Sequence, residues 1–364
     1  MGHTKEECIG RVKKKLLFIV EAMGGGVFTY IVDLANELSR EYVVYVAYGT
    51  RKQTPKDFKR YFNSDVKLIE VKNFTRSINF GKDIAAFWEI KEIYRNINPD
   101  IVHVHSSKAG VLGRLAFSKK TPVFYTPHGY SFLMSGIRRG KRYIYKLIEK
   151  VCSLRGSITI ACSQGEYDEA LKISKRVELV NNGVNIITLD SYRNDVRKTV
   201  DVVTLGRITY QKNPELFNKI AKKMPYLKFR WIGDGELRNQ LTAKNIEITG
   251  WLSRREALQA IQESKVFMLG SRWEGLPLAL LEAMYLEKVC VVSDVVGNHD
   301  VIENKKNGFI CTTVDDYVEV LNNIISNKED EKILIQNARN DILEKYNTKV
   351  MADKYHFIYE KYSK

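Results

Sequence analysis

Five cysteines in 364 residues, none paired as CxxC, argue against a disulfide framework or a zinc site. Cys8, Cys152, Cys162, Cys290 and Cys311 are odd in number and scattered, which fits a reducing compartment. Proline (7) and glycine (23) are too few for a fibrous or low-complexity chain. No run reaches the roughly 18 uninterrupted apolar residues that a membrane span needs. The opening MGHTKEECIGRVKKK is too polar for a secretory leader, and Glu6 stands where a myristoylation signal wants Ser or Thr. There is no Asp-x-Asp pair to hold a divalent cation. What is present, 44% hydrophobic and 28% charged residues, is globular in balance. The length suggests two or three domains at about 100–200 residues each.

The net charge of +15 is unevenly placed. Residues 1–185 carry 31 basic against 18 acidic side chains, and the remainder 27 against 25. Such asymmetry points to an anionic surface facing the first half, either nucleic acid or acidic lipid. The densest patch is IRRGKRYIYKLIEK, Ile137–Lys150, in which Arg138, Arg139, Lys141, Arg142 and Lys146 interleave with Tyr143, Ile144, Tyr145, Leu147 and Ile148. A basic helix of this kind can lie in a membrane interface. It is equally readable as a surface helix whose apolar stripe packs on the core.

Short apolar runs alternate with helical patterns. KLLFIV (Lys15–Val20) reads as a strand, followed by EAMGGG and a helix with Val27, Ile31, Leu34 and Leu38 on one face. Further strands read at Tyr42–Tyr48, Val66–Val71, Ile101–His105, Val123–Tyr125 and Ile158–Ala161. After a polar linker at Thr188–Thr199 the pattern resumes with Val200–Gly206, Lys228–Ile232, Ile246–Ile248, Val266–Leu269 and Val289–Ser293. Strands alternating with helices predict parallel sheets covered on both faces. Two such blocks predict two Rossmann-like domains with a cleft between them.

Several loops between these elements carry chemistry. Gly24-Gly25-Gly26, between the first strand and helix, suits close approach of a phosphate or simply a tight turn. Arg207 and Lys212 in LGRITYQKNPE lie beyond a strand's C-terminal end, where ligands of such sheets bind. A planar fork and a point charge suit a diphosphate; two solvated surface cations are the alternative. Asn213-Pro214-Glu215 reads as a helix start. In SRWEGLPLALLEAM, Glu274 and Gly275 precede a helix with Pro277 expected at its first position and Glu282 within it. Free N–H groups there can bind phosphate, and two carboxylates eight residues apart can each hold hydroxyls. An acidic residue in so apolar a helix needs some partner. His128, between Pro127 and Gly129, stands at a strand end; His103 and His105 read as shaping one.

Taken in order, these segments resemble glycosyltransferase family 4. The carriers are the glycine loop, PDIVHVH, YTPHGY, ACSQGEYDEAL, VNNGVN, LGRITYQKN, WIGDGEL, ITGWLSRREAL and the Glu-x7-Glu pair Glu274/Glu282, spanning nearly the whole chain from about Lys14. The likeness is nearest to bacterial enzymes of capsule, O-antigen or exopolysaccharide assembly. It implies an α/β GT-B fold with two Rossmann-like domains facing a central cleft. These would be an acceptor-side domain over 1–187, a nucleotide-sugar domain over 188–346, and a terminal helix over 347–364 crossing back. It further implies catalytic roles for His128, Arg207, Lys212 and Glu274. Donor contacts would come from Gly25, Gly26, Asn182, Gly206, Gly233, Gly275, Leu276, Pro277 and Glu282. Retention at the anomeric carbon, no metal and no cofactor beyond the nucleotide-sugar co-substrate are part of the same implication. Two departures stand out: LEKVCVVS replaces the usual Cys-Gly-x-Pro, and Gly297-Asn298 replaces a Gly-Gly pair.

The function expected from this is transfer of a sugar, from a UDP-sugar by default, to a lipid-linked or growing polysaccharide acceptor. The expected setting is cytoplasmic, peripheral to the inner membrane face, with the Arg138–Lys146 patch on anionic lipid. A non-hydrolysing sugar-nucleotide 2-epimerase of the same fold is the alternative. A nucleic-acid partner, motivated only by charge, lacks any recognition motif.

Overall fold

The computed structural model describes residues 12–21, 23–51, 54–75, 79–117, 120–193, 196–326 and 331–363. Cys8 and the rest of the opening segment lie outside them, as do residues 194 and 195 of the linker.

The first sheet comprises β1 (Lys15–Val20), β2 (Val43–Tyr48), β3 (Lys67–Glu70), β4 (Ile101–His105), β5 (Val123–Thr126), β6 (Ile158–Ala161) and β7 (Val177–Leu179). All pair in parallel, in the order β3-β2-β1-β4-β5-β6-β7. The second comprises β8 (Val200–Leu205), β9 (Phe229–Ile232), β10 (Ile246–Ile248), β11 (Ser264–Leu269), β12 (Val289–Ser293) and β13 (Phe309–Cys311). It is also parallel, in the order β10-β9-β8-β11-β12-β13. In each sheet the order reverses beside the first strand, the point where doubly wound sheets open a crevice at their strand C-termini. β1, β4 and β11 are almost wholly buried, as strands covered on both faces must be.

Five helices serve the first sheet: α1 (Gly25–Leu38), α2 (Phe80–Ile97), α3 (Ser107–Ala116), α4 (Arg139–Ser153) and α5 (Gln164–Leu171); α6 (Ile186–Ser191) comes after the sheet and packs against the helix Leu278–Tyr285 of the second unit. Six follow: α7 (Pro214–Lys223), α8 (Arg254–Gln262), α9 (Leu278–Tyr285), α10 (Val314–Ile325), α11 (Glu331–Glu344) and α12 (Thr348–Tyr362). α12 packs against α1, far from it in sequence. Its Tyr359 hydroxyl meets His103 Nδ1 at 2.6 Å, Tyr355 bonds Tyr30, and Glu360 pairs with Lys14 at 2.9 Å. Among the described residues no helix is long and apolar enough to cross a membrane.

Two local expectations change, and one open alternative is decided. The linker is shorter than Thr188–Thr199, because the Asn185 side chain accepts from Thr188 N and caps α6, which runs to Ser191. Pro277 is the cap of α9 rather than its first residue: its ψ of 115° keeps it extended while its carbonyl already accepts from Leu280 N. The apolar stripe of α4 does not pack on the core: Tyr143, Ile144, Leu147, Ile148, Val151 and Leu154 are all exposed. The inner face is held instead by buried Glu149, which takes Arg114 at 2.6 Å and the Tyr125 hydroxyl at 2.9 Å.

Candidate functional site

The site begins where β8 and β9 end. Gly206 and Gly233 follow these neighbouring strands with φ of 148° and 133°. A Cβ on Gly233 would lie 2.3 Å from Gly206 O, so only glycine permits this backbone contact. A Cβ on Gly206 would sit 3.0 Å from Lys212 Cε, so the absent side chain also makes room for the lysine stem. Lys212 Nζ then reaches Glu274 Oε1 at 2.6 Å, with both side chains largely buried. Two bonds clamp the loops that carry this pair: Gln211 Nε2 donates to Trp273 O at 3.0 Å and Arg272 N to Gln211 O at 2.8 Å. Arg207 is half-buried and pairs loosely with Glu236 at 3.4 Å. Two cations, Lys212 tightly and Arg207 loosely paired with a carboxylate, therefore stand at the C-terminal edge of the second sheet.

Beyond Glu274 the chain enters α9, whose cap Pro277 supplies no side-chain acceptor, so the first N–H groups keep their bonding capacity. Glu282, in the second turn, is buried, and Arg254 Nη1 on α8 meets it at 2.7 Å. The same Nη1 lies 3.4 Å from Thr29 Oγ1 on α1. Asp33, one turn further along α1, is buried within the field of this arginine and of Glu282. Burial pushes its carboxyl up to about 7, against the pull of Arg254. One guanidinium thus faces two carboxyl groups where the domains meet.

The first domain presents a histidine row. His103 and His105 on β4 and His128 after β5 stack in sequence, with ring centroids 3.9 and 5.4 Å apart. His105 Nδ1 and His128 Nε2 are 3.2 Å apart, and His103 Nε2 is 2.9 Å from Thr126 Oγ1. Burial pushes His128 down to about 3, and holds His103 and His105 well below the usual imidazole range. All three are neutral at physiological pH, so His128 is available as a polar contact and not as an imidazolium. His128 is held at φ 54°, and Gly129 beside it at 96°. Glu166 fixes this turn: its carboxylate accepts from Gly129 N at 2.7 Å and from Cys162 N at 2.8 Å.

The two halves touch here. A Cβ on Gly275 would lie 3.3 Å from both Gly129 N and Cys162 Sγ, and one on Gly297 would be 2.2 Å from Gly275 O. Asn298 is fully buried and donates to Ser293 O at 3.1 Å. Asn182 Nδ2 donates to Leu276 O at 2.7 Å across the junction. Gly25 and Gly26 form the first turn of α1, and added Cβ atoms there would meet nothing within 4 Å. The glycine turn is therefore open, one turn from the Thr29 that touches Arg254.

The structure thus brings Lys212 to Glu274, sets Gly275 against the turn at His128, and ties Asn182 to Leu276. The Arg138–Lys146 patch lies elsewhere, on α4. Sequence reasoning gave no role to Asp33, Glu166 or Arg254. Glu166 and Arg254 stand inside ACSQGEYDEAL and ITGWLSRREAL, but Gly129 and Thr29, the partners that tie them to the cleft, lie 37 and 225 residues away. An acid on the buried face of α1 was the available signal for Asp33.

Two sequence models cover most of the chain: Glycosyltransferase Family 4 over residues 24–187 and Glycosyl transferases group 1 over 191–341. The chain is 29% identical to an Escherichia coli UDP-Gal:α-D-GlcNAc-diphosphoundecaprenol α-1,3-galactosyltransferase over 82% of its own length and 85% of that protein. It is 26% identical to a Campylobacter jejuni α-1,4-N-acetyl-D-galactosaminyltransferase named for a polyprenol-diphosphate-linked substrate, over 89% and 92%. Among solved structures, Anabaena HepE in complex with UDP and glucose superposes with a TM-score of 0.78 at 16% identity, over 96% of this chain and all of that one. Sucrose-phosphate synthase from Thermosynechococcus elongatus gives 0.81 at 15%, over 96% and 99%. With one matched domain on each side of a shared cleft, the chain belongs to the family 4 glycosyltransferases of the GT-B fold.

Proposed function

We propose that the protein is a retaining, metal-independent glycosyltransferase that moves a hexosyl unit from a UDP-sugar to a lipid-linked or growing polysaccharide acceptor. The observation that carries the reading is the Lys212–Glu274 pair beside Arg207 at the open end of the second sheet. Departure of a nucleoside diphosphate leaves negative charge, and preorganised cations with a helix N-terminus stabilise it. Lys212 and Arg207 take the diphosphate, while Glu274 holds Lys212 in place and faces the sugar. Glu282 binds the ribose hydroxyls, with Arg254 holding its carboxylate on the cleft wall. Neutral His128 contacts the sugar from the opposite domain, and Gly25 and Gly26 close over the phosphates. Relatives named for UDP-galactose and polyprenol-diphosphate substrates support the donor and acceptor classes.

The exposed stripe of α4, flanked by Arg138, Arg139, Lys141, Arg142 and Lys146, supports placement at an anionic membrane surface in O-antigen or capsule assembly. The reading is tested with UDP-sugars and a polyprenol-diphosphate-linked acceptor in the presence of EDTA. Lys212→Ala and Glu282→Ala should abolish transfer while circular dichroism shows folded chains. Full activity in both overturns the assignment. Epimerised UDP-sugar formed without acceptor establishes the epimerase instead.

A further inference from the structure

A second polar cavity lies at the end of the first sheet away from the cleft. It has a volume of about 150 Å³, far above the roughly 10–15 Å³ that admits one water. Val123 and Ile158, the first residues of β5 and β6, line it, so it opens at the strand N-termini. Lys120, Arg155 and Arg176 line it from three separate loops, and Arg114 from α3. No carboxylate is among its lining residues. Arg114 is already committed to Glu149 at 2.6 Å and Gly110 O at 2.8 Å. Among the described residues neither the Arg155 nor the Arg176 guanidinium is in an ion pair.

Ser157, also in the lining, is 3% exposed, and its hydroxyl has no hydrogen-bond partner. Native structures seldom keep a buried hydroxyl unpaired without a reason. A cavity lined by cations and by no carboxylate has the chemistry of an oxyanion site, with the solvent-inaccessible Ser157 hydroxyl behind its wall. Its position adds a second indication. Arg155 directly follows Leu154, which is 70% exposed and ends the outward apolar stripe of α4.

We propose that this cavity takes one phosphate group, outside the donor cleft, either from a lipid whose chains lie along α4 or from a free phosphate ester. The proposal does not depend on the donor reading.

The test compares Arg155→Gln/Arg176→Gln, both exposed positions, with the equally charged control Lys222→Gln/Lys223→Gln on α7. Inorganic phosphate should raise the Tm of the wild type and the control, and the cavity variant should lose most of that rise. Sedimentation with phosphatidylcholine vesicles, with and without phosphatidylglycerol, separates the sources. A lipid source weakens binding of the cavity variant to phosphatidylglycerol vesicles about tenfold relative to the control. Equal vesicle binding with a lost phosphate response identifies a free ester. Phosphate response and vesicle binding unchanged in the cavity variant overturn the proposal.

Discussion

At the scale of single residues, Arg254 is the most informative side chain in the cleft. It reaches Glu282 on its own domain and Thr29 on the other, with Asp33 close by. Burial, only partly offset by Arg254 and reinforced by the nearby Glu282 carboxylate, makes Asp33 keep its proton until about pH 7. In the unfolded chain an aspartate ionises near 4. The folded state therefore binds one more proton between those values, and stability falls as pH rises from about 4 to about 7. Asp33→Asn removes the titration: its Tm should match wild type near pH 3 and exceed it at pH 8, by the equivalent of a few kcal/mol. Parallel losses of Tm with pH in both proteins would refute this. None of it was legible beforehand, because Thr29 and Arg254 are 225 positions apart. Lys212 and Glu274 were legible individually, since each lies beside a recognisable strand end. Their direct pairing was not, because it depends on how two loops fold over Gly206.

At the scale of elements, the sequence reads best where a segment is both long and periodic. β4, β6 and β12 fall where the apolar runs place them. β7 and β13 escape the reading, although β10, equally short and also at a sheet edge, does not. α4 is the element whose pattern was clear and whose orientation was not. Arg138 caps it, Arg139, Lys141 and Arg142 crowd its first turn, and no acid is present there. Cations at a helix N-terminus oppose the macrodipole, so helix stability does not account for the cluster. Burial of Glu149 turns the stripe outward, a choice that the helical period alone cannot reveal. Arg139→Glu should accordingly raise Tm by about 1–3 °C while weakening sedimentation with anionic vesicles. A variant that keeps full vesicle binding removes the element from the membrane reading.

At the scale of the whole molecule, the chain order and the folding units differ. The two-domain division follows from the alternation of strands and helices, but α12 belongs physically to the first sheet. Tyr355 and Tyr359 are fully buried against α1 and β4, and His103 depends on the Tyr359 hydroxyl for one of its two bonds. The last helix therefore fastens the domain that precedes it by a full Rossmann-like unit. Tyr359→Ala should cost about 3–5 kcal/mol, the range for a large buried aromatic. The loss should fall on the first domain although the substitution lies near the C-terminal end. Calorimetry resolves the point with two references, Val104→Ala in β4 and Phe217→Ala in α7, which lie in separate cores. Tyr359→Ala should lower the same transition as Val104→Ala and leave the one moved by Phe217→Ala in place. If it instead follows Phe217→Ala, α12 is a part of the second domain and the strap across the cleft carries no stability for the first.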